Sequence, residues 1–252
     1  MADILTMFTD AITKAHGRDL HSMFTDAITK AYGRNLRSII LYGSMAKGEE
    51  SGKHSDYNLL IILEKVGFED LRALKGSMAE WLRAGNHPPL LFARSVFEKS
   101  TDVFPIEFLD IKDNRRVLYG EDPFSGLAIL DTNLRHECEF ELKSKLLKLR
   151  QGYMSCHDNP RQIEHLMSGS ISPVLTVFRH VLRLLGKVPP ARKRDALPML
   201  AEFAGVDAAV FEAVLNIKHG DKKAAGNDMS SLMCDYLREI EKVISVVDDM
   251  DQ

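Results

Sequence analysis

The chain has 252 residues, 45% hydrophobic and 27% charged, which is enough apolar material for one large domain or two small ones with a sizeable core. Its formal net charge of −3 supplies no basic field for nucleic acid, and no apolar run approaches the ~20 residues of a membrane span. Cys138, Cys156 and Cys234 are odd in number and widely spaced, which excludes a disulfide framework and a zinc spacing; free thiols and, with no signal-like start, a cytoplasmic location are expected.

The N-terminus carries a repeat. Met7–Leu20 recurs as Met23–Leu36, twelve of fourteen positions matching at an offset of 16 residues. A straight helix turns ~100° per residue, so the second copy falls about 160° out of phase with the first. The copies therefore share no single core-facing stripe, and each closes near a glycine, a helix-stop signal. Two short helices are predicted over 1–36. Only the second leads directly into a strand, so Met23–Leu36 is expected to pack on a sheet. The first reads as a duplicated extension, free of the core or packed on a neighbouring chain in a homodimer.

From 37 to 120 strands alternate with helices. Strands are predicted at Arg37–Tyr42, Tyr57–Glu64, Leu90–Ser95 and Val103–Ile111, and a helix at Phe68–Ala84 with Leu71, Leu74, Met78, Trp81 and Leu82 on one face. Asn86-His87-Pro88-Pro89 is a loop signal, and Tyr119–Pro123 marks a boundary. Beyond it the strands stop. Helices are predicted at Leu134–Met154, at Gln162–Leu185 with a kink or break at Pro173, and at Arg194–Phe203, Asp207–Ile217 and Asp228–Val247, with Asp207 and Asp228 as N-caps. The fold class is α+β: a mixed sheet with helices over 37–120, then an α-helical bundle over 127–252.

The chemistry-bearing stretch is Gly43-Ser44-Met45-Ala46-Lys47-Gly48 followed by Ser55-Asp56-Tyr57-Asn58. One apolar run feeds into Gly43-Ser44 and another leaves Asn58. Gly43 lets backbone approach a phosphate, Ser44 offers a hydroxyl, and Lys47 adds a positive charge nearby. Asp56 and Asn58 stand at i and i+2 on a strand, so both face the same way and present two hard oxygens to a divalent ion. On their own, Gly-Ser also fits an ordinary strand-to-helix turn, and Ser-Asp a plain turn before a strand.

Together these residues resemble the signature of the polymerase-β-like nucleotidyltransferases, which reads Gly-Ser, a spacer, then Asp-x-Asp. The departure is Asn58 in place of the second carboxylate. The resemblance implies Mg²⁺ (or Mn²⁺) with a nucleoside triphosphate, held by Gly43, Ser44 and Lys47, with Asp56 as metal ligand and Asn58 as a weakened one. The superfamily usually adds a third acid from a neighbouring strand. On the segment Val103–Ile111 that acid is Glu107, as ligand or general base, with Asp110 as fallback; on a strand the two would lie on opposite faces. His54 reads as a loop histidine beside the motif.

A helical bundle after a minimal nucleotidyltransferase domain is similar to the layout of kanamycin nucleotidyltransferase-type proteins. The implied activity is metal-dependent transfer of a nucleoside monophosphate to a small-molecule or protein acceptor. Arg135, Lys143, Lys145, Lys148 and Arg150 give the first bundle helix a basic character, either a solvated face or a source of one or two cations for the triphosphate. Asn58 supports an alternative, a non-catalytic nucleotide-binding or interaction module. A further alternative rests on Arg150 and His157, with six residues between them, which loosely resemble the Arg-spacer-His signature of HEPN ribonucleases.

Overall fold

The structure is a computed structural model that describes residues 28–47, 57–83, 85–157, 159–221 and 228–251. The chain divides into two compact units, Met1–Ile129 and Leu130–Gln252.

In the first unit, residues 28–32 are helical and run through a short 3-10 turn, Gly33–Asn35, into β1 (Leu36–Tyr42). A second 3-10 turn, Ser44–Lys47, precedes β2 (Asn58–Leu63). Then come α1 (Phe68–Arg83), β3 (Leu90–Ala93), α2 (Arg94–Lys99), α3 (Pro105–Asp113) and β4 (Arg115–Gly120). The described strands form one mixed sheet in the order β3-β2-β1-β4, with β1 antiparallel to both its neighbours and β2 parallel to β3.

The central pair is buried on both faces, which is why Ile39-Ile40-Leu41 and Leu59–Leu63 read as continuous apolar runs and not as alternation. On one face Ile39, Leu41, Leu59 and Ile61 pack with Ile28, Tyr32, Leu36, Tyr57, Leu74 and Trp81. On the other, Ile40, Leu60 and Ile62 meet an aromatic cluster of Phe97, Phe108 and Phe124. There the Phe97 and Phe108 rings stack at 4.7 Å and Phe124 meets Phe97 edge-on at 5.2 Å. The second repeat copy thus packs on the sheet through Ile28, Tyr32 and Leu36, while Met7–Leu20 lies outside the described residues.

Three expectations are corrected. Val103–Ile111 is not a strand: Pro105 opens α3, where a missing N–H costs nothing and its fixed φ suits the first turn. Pro105, Phe108, Leu109 and Ile111 bury at helical spacing, a pattern that a nine-residue apolar stretch shares with a strand. β4, in turn, follows where a boundary was expected. It is an edge strand with a charged start and exposed positions, and such strands lack an apolar signature. On α1, Leu74 and Trp81 are buried, but Leu71 and Leu82 are about half exposed.

Burial, with the Asp70 charge adding to it, pushes the Tyr32 phenol up from 10.0 to about 12. The native state then holds this proton to higher pH than the unfolded chain. Its contribution is complete below pH 10 and is lost as pH rises through about 12, up to roughly 2 kcal/mol. Urea unfolding across this window should show the loss in the wild type and a smaller one in Tyr32→Phe.

The second unit holds α4 (Asp131–Met154), α5 (Pro160–Leu184), α6 (Ala196–Ala204), α7 (Ala208–Lys218) and α8 (Met229–Asp248). α5 is the most buried and packs against the other four. It runs through Pro173 as one helix, so the break does not occur; the residue whose carbonyl the ring would meet, four positions back, is Gly169, which has no side chain to crowd the adjustment. Asp207 and Asp228 cap as predicted: Asp207 accepts from the Ala209 N–H at 2.9 Å, and Asp228 from Ser230 and Ser231 at 3.0 Å each. Cys138 and Cys156 are buried, whereas Cys234 is exposed. No described helix is long and apolar enough to cross a membrane.

Candidate active site

The site is built at the end of the central strand pair. β1 stops at Tyr42, which lies opposite Asn58 on β2 and opposite Arg115 on β4. Gly43 then turns the chain with φ +84°, a left-handed conformation that favours glycine. Its N–H donates to the Asn114 carbonyl at 2.9 Å, and its own carbonyl accepts from the Ala46 N–H at 3.1 Å. Met45 and Ala46 pack onto the core beneath, leaving Ser44 exposed. A Cβ placed on Gly43 would lie 3.3 Å from Asn58 Nδ2, so the Gly-Ser turn and the start of β2 form one corner.

The start of β2 is anchored from behind. The Tyr57 N–H donates to Asn86 Oδ1 at 3.0 Å, and Asn86 is held by the Trp81 carbonyl, which accepts from its backbone N–H at 3.3 Å and its Nδ2 at 3.4 Å. Tyr57 points into the core towards Trp81, ring centroids 6.4 Å apart. Strand alternation therefore turns Asn58 to the other face, that of Ile40 and Leu60.

A second anchor lies beside the turn. Arg115 donates to both Asp122 oxygens, at 2.7 Å from Nη2 and 3.0 Å from Nε, to the Lys112 carbonyl from Nη1, and lies 5.3 Å from the Phe124 ring centroid. This fork ties the end of α3 to β4 and so fixes Asn114, the acceptor for Gly43. The Arg115 hydrogen bond holds the Asp122 carboxyl below its usual range, and burial pushes the Tyr42 phenol up.

Of the residues singled out by sequence, Gly43, Ser44 and Asn58 come together here. The backbone of Lys47 closes the turn, and its side chain lies outside the description, as do Asp56 and His54. Glu107 stands in the first turn of α3 and is exposed; Asp110 is half-buried one turn on. On a helix they are neighbours at i and i+3, not on opposite faces. Asp110 is four residues before Asn114 and Glu107 seven, so along the helix axis Asp110 is the nearer to the corner by ~4.5 Å. The strands flanking the central pair, β3 and β4, carry no acid at all.

Among the described residues no cluster of three His, Cys, Asp or Glu could hold a metal ion. Asn58 offers one neutral oxygen, so the described side chains alone do not fit a resident divalent ion. Sequence reasoning missed Asn86, Asn114, Arg115 and Asp122. A loop signal hid Asn86, and the unrecognised β4 hid the others, although Arg115 and Asp122 bracket that strand with opposite charges.

In the second unit the basic character of α4 is largely paired. Arg135 lies 2.9 Å from Glu139, Lys143 2.6 Å from Glu139 and 3.0 Å from Asp248, and Arg150 2.7 Å from Glu241; Lys145 pairs with Glu141. His157 sits beyond the helix end, exposed, with φ 45°.

Gly43→Ala is expected to lower stability by about 1–2 kcal/mol, since it forces a left-handed residue and crowds Asn58. Chemical denaturation measures the loss, and nucleotide titration of the folded variant reads the displaced corner.

A mixed sheet whose central pair sets a Gly-Ser turn against the strand start at Asn58, followed along the chain by a unit that is helical among its described residues, is a fold shared with a solved antibiotic adenyltransferase. Among solved structures the chain is similar to spectinomycin adenyltransferase AAD(9) from Enterococcus faecialis, crystallised with ATP and spectinomycin. The match has a TM-score of 0.50 at 16% identity and covers 87% of this chain and 96% of that one. At this identity the likeness is one of fold. No protein-family model and no curated protein matches the sequence.

Proposed function

We propose that the protein binds a nucleoside triphosphate, delivered as its Mg²⁺ or Mn²⁺ complex, at the Gly43–Asn58 corner and transfers the nucleoside monophosphate to a small-molecule acceptor. An acceptor oxygen bonds to the α-phosphorus, the bond to the bridging oxygen breaks, and pyrophosphate leaves. The turn's backbone and Ser44 hold phosphate oxygens, Lys47 adds charge, and Asp56 and Asn58 face the metal complex. The acceptor proton passes to an acid of α3, Glu107 or the nearer Asp110.

The observation that carries this reading is the contact of the turn with Asn58. Two motifs separated in sequence meet at one corner of the sheet, and the adenyltransferase similar in fold was crystallised with ATP and spectinomycin. The test is pyrophosphate release from ATP and GTP with Mg²⁺ across hydroxyl-bearing acceptors. Turnover lost in Asp56→Asn supports the reading, and Glu107→Gln against Asp110→Asn names the base.

A second reading, nucleotide binding without turnover, is favoured by the absence of an acid on β3 and β4 and by the neutral Asn58. Calorimetric binding without pyrophosphate release for any acceptor would establish it. No comparable observation favours an RNA-cutting site, since Arg150 is engaged by Glu241.

A further inference from the structure

The two copies of the N-terminal repeat differ where the second copy makes its specific bonds. The match continues past Leu20 and Leu36 to Ser22 and Ser38, and across that stretch His16, Asp19 and His21 stand where the second copy has Tyr32, Asn35 and Arg37. Those three second-copy residues all bond the segment from Glu64 to Asp70. Tyr32 OH donates to the Asp70 carbonyl at 3.1 Å. Asn35 Nδ2 donates to the Lys65 carbonyl at 2.9 Å and to Asp70 Oδ1 at 3.1 Å, while its Oδ1 accepts from the Lys65 N–H at 3.1 Å. Arg37 Nε donates to Glu64 Oε2 at 2.8 Å. The shared residues do the apolar packing: Ile28 and Leu36 are buried in the core with Leu74 and Trp81, and the first copy repeats them as Ile12 and Leu20.

We propose that the groove holding residues 28–36 accepts residues 12–20 of the same chain as an alternative occupant, and that Tyr32 and Asn35 are the residues that select the second copy. The apolar anchors of both segments are the same, so the groove does not distinguish them by burial. It distinguishes them by polar fit. Asp19 in the place of Asn35 has no N–H for the Lys65 carbonyl and sets a carboxylate against Asp70, replacing a hydrogen bond with like-charge repulsion. His16 in the place of Tyr32 loses the reach of the phenol to the Asp70 carbonyl.

Beyond Leu36, β1 does not exchange. A full shift of 16 residues would bring Thr25 and Asp26 to the positions of buried Leu41 and half-buried Tyr42. Arg37 and the rest of β1 to Tyr42 therefore stay, Leu20 takes the place of Leu36, and residues 21–36 become a closed loop, a further entropic bias towards the second copy. None of this depends on nucleotidyl transfer.

The chain's single tryptophan, Trp81, lies in the groove and reports its occupancy by fluorescence during urea unfolding. Ile28→Asp removes the second copy's anchor and should lower the midpoint. Adding His16→Tyr and Asp19→Asn gives the first copy the selecting side chains, and should recover ~half of the lost midpoint after the cost of loop closure. Hydrogen exchange should then show protection moving from peptides within 23–36 to peptides within 7–20, and a further Ile12→Asp should abolish the recovery. If Ile28→Asp alone does not fold, the variant with His16→Tyr and Asp19→Asn decides by itself, folded in support and unfolded against. A midpoint left unchanged by Ile28→Asp, or no recovery with His16→Tyr and Asp19→Asn, overturns the proposal. Recovery only at raised protein concentration also overturns it, because the occupant then comes from another molecule.

Discussion

Trp81→Ala is expected to destabilise the protein by about 3–5 kcal/mol, the scale for truncating a large, fully buried aromatic. Trp81 is 1% exposed and fills the space between α1, the sheet and the second repeat copy. Its Nε1 donates to the His87 carbonyl at 2.5 Å, a hydrogen bond the substitution also removes. Its consequences reach the site, because the Trp81 carbonyl holds Asn86, and Asn86 holds the Tyr57 N–H between Asp56 and Asn58. Urea unfolding followed by circular dichroism measures the loss. Trp81→Phe should keep most of the volume and cost about 1–2 kcal/mol, and a triphosphate titration of that variant isolates the effect on the corner. A loss below about 1 kcal/mol for Trp81→Ala would show that the groove collapses around the void and that Trp81 anchors neither the core nor β2.

How much of this was legible in sequence depends on how each element earns its stability. β1 and β2 are central strands covered on both faces, so nearly every residue is apolar and the runs stand out against Gly43 at one end and Asn58 at the other. The bundle helices carry their own start signals in Asp207 and Asp228. α3 and β4 are different. In Phe104-Pro105-Ile106-Glu107-Phe108-Leu109 apolar residues are so dense that both periods fit, and only the proline at the first turn speaks for a helix. β4 buries little and takes its place from pairing with β1, which local sequence does not encode.

The candidate site shows the same division. Gly43, Ser44 and Asn58 were legible because a turn residue and two flanking strands place them directly. The supports were not. Asn114 acts through its carbonyl, which any residue possesses, and Arg115 finds Asp122 only once β4 is folded. The misread strand also displaced the third acid. An acid on a strand beside β2 would face the corner from the sheet, whereas Glu107 and Asp110 stand on a helix. That leaves Asn58, at the start of β2, as the described motif oxygen on the sheet at the corner.

Asn58→Asp therefore carries the largest expected functional effect. A carboxylate in place of the amide adds a full charge beside the Gly43 turn, and Arg115, on the strand across β1, is already committed to Asp122. Charge at this corner thus needs a ligand to neutralise it. Binding of a non-hydrolysable ATP analogue as its Mg²⁺ or Mn²⁺ complex should tighten by at least about tenfold, a change of ~1.4 kcal/mol that one added charge near a divalent ion readily exceeds. The same analogue without metal should bind more weakly than to the wild type, because the new carboxylate then faces bare phosphate oxygens. Asp56→Asn should move both quantities in the opposite direction. Calorimetric titration with and without metal reads all four comparisons, and pyrophosphate release reads whether turnover follows. The sign reversal between metal-free and metal-bound ligand is the decisive feature. A mere loss of folding quality would weaken both forms alike, and a phosphate site remote from Asn58 would leave both unchanged.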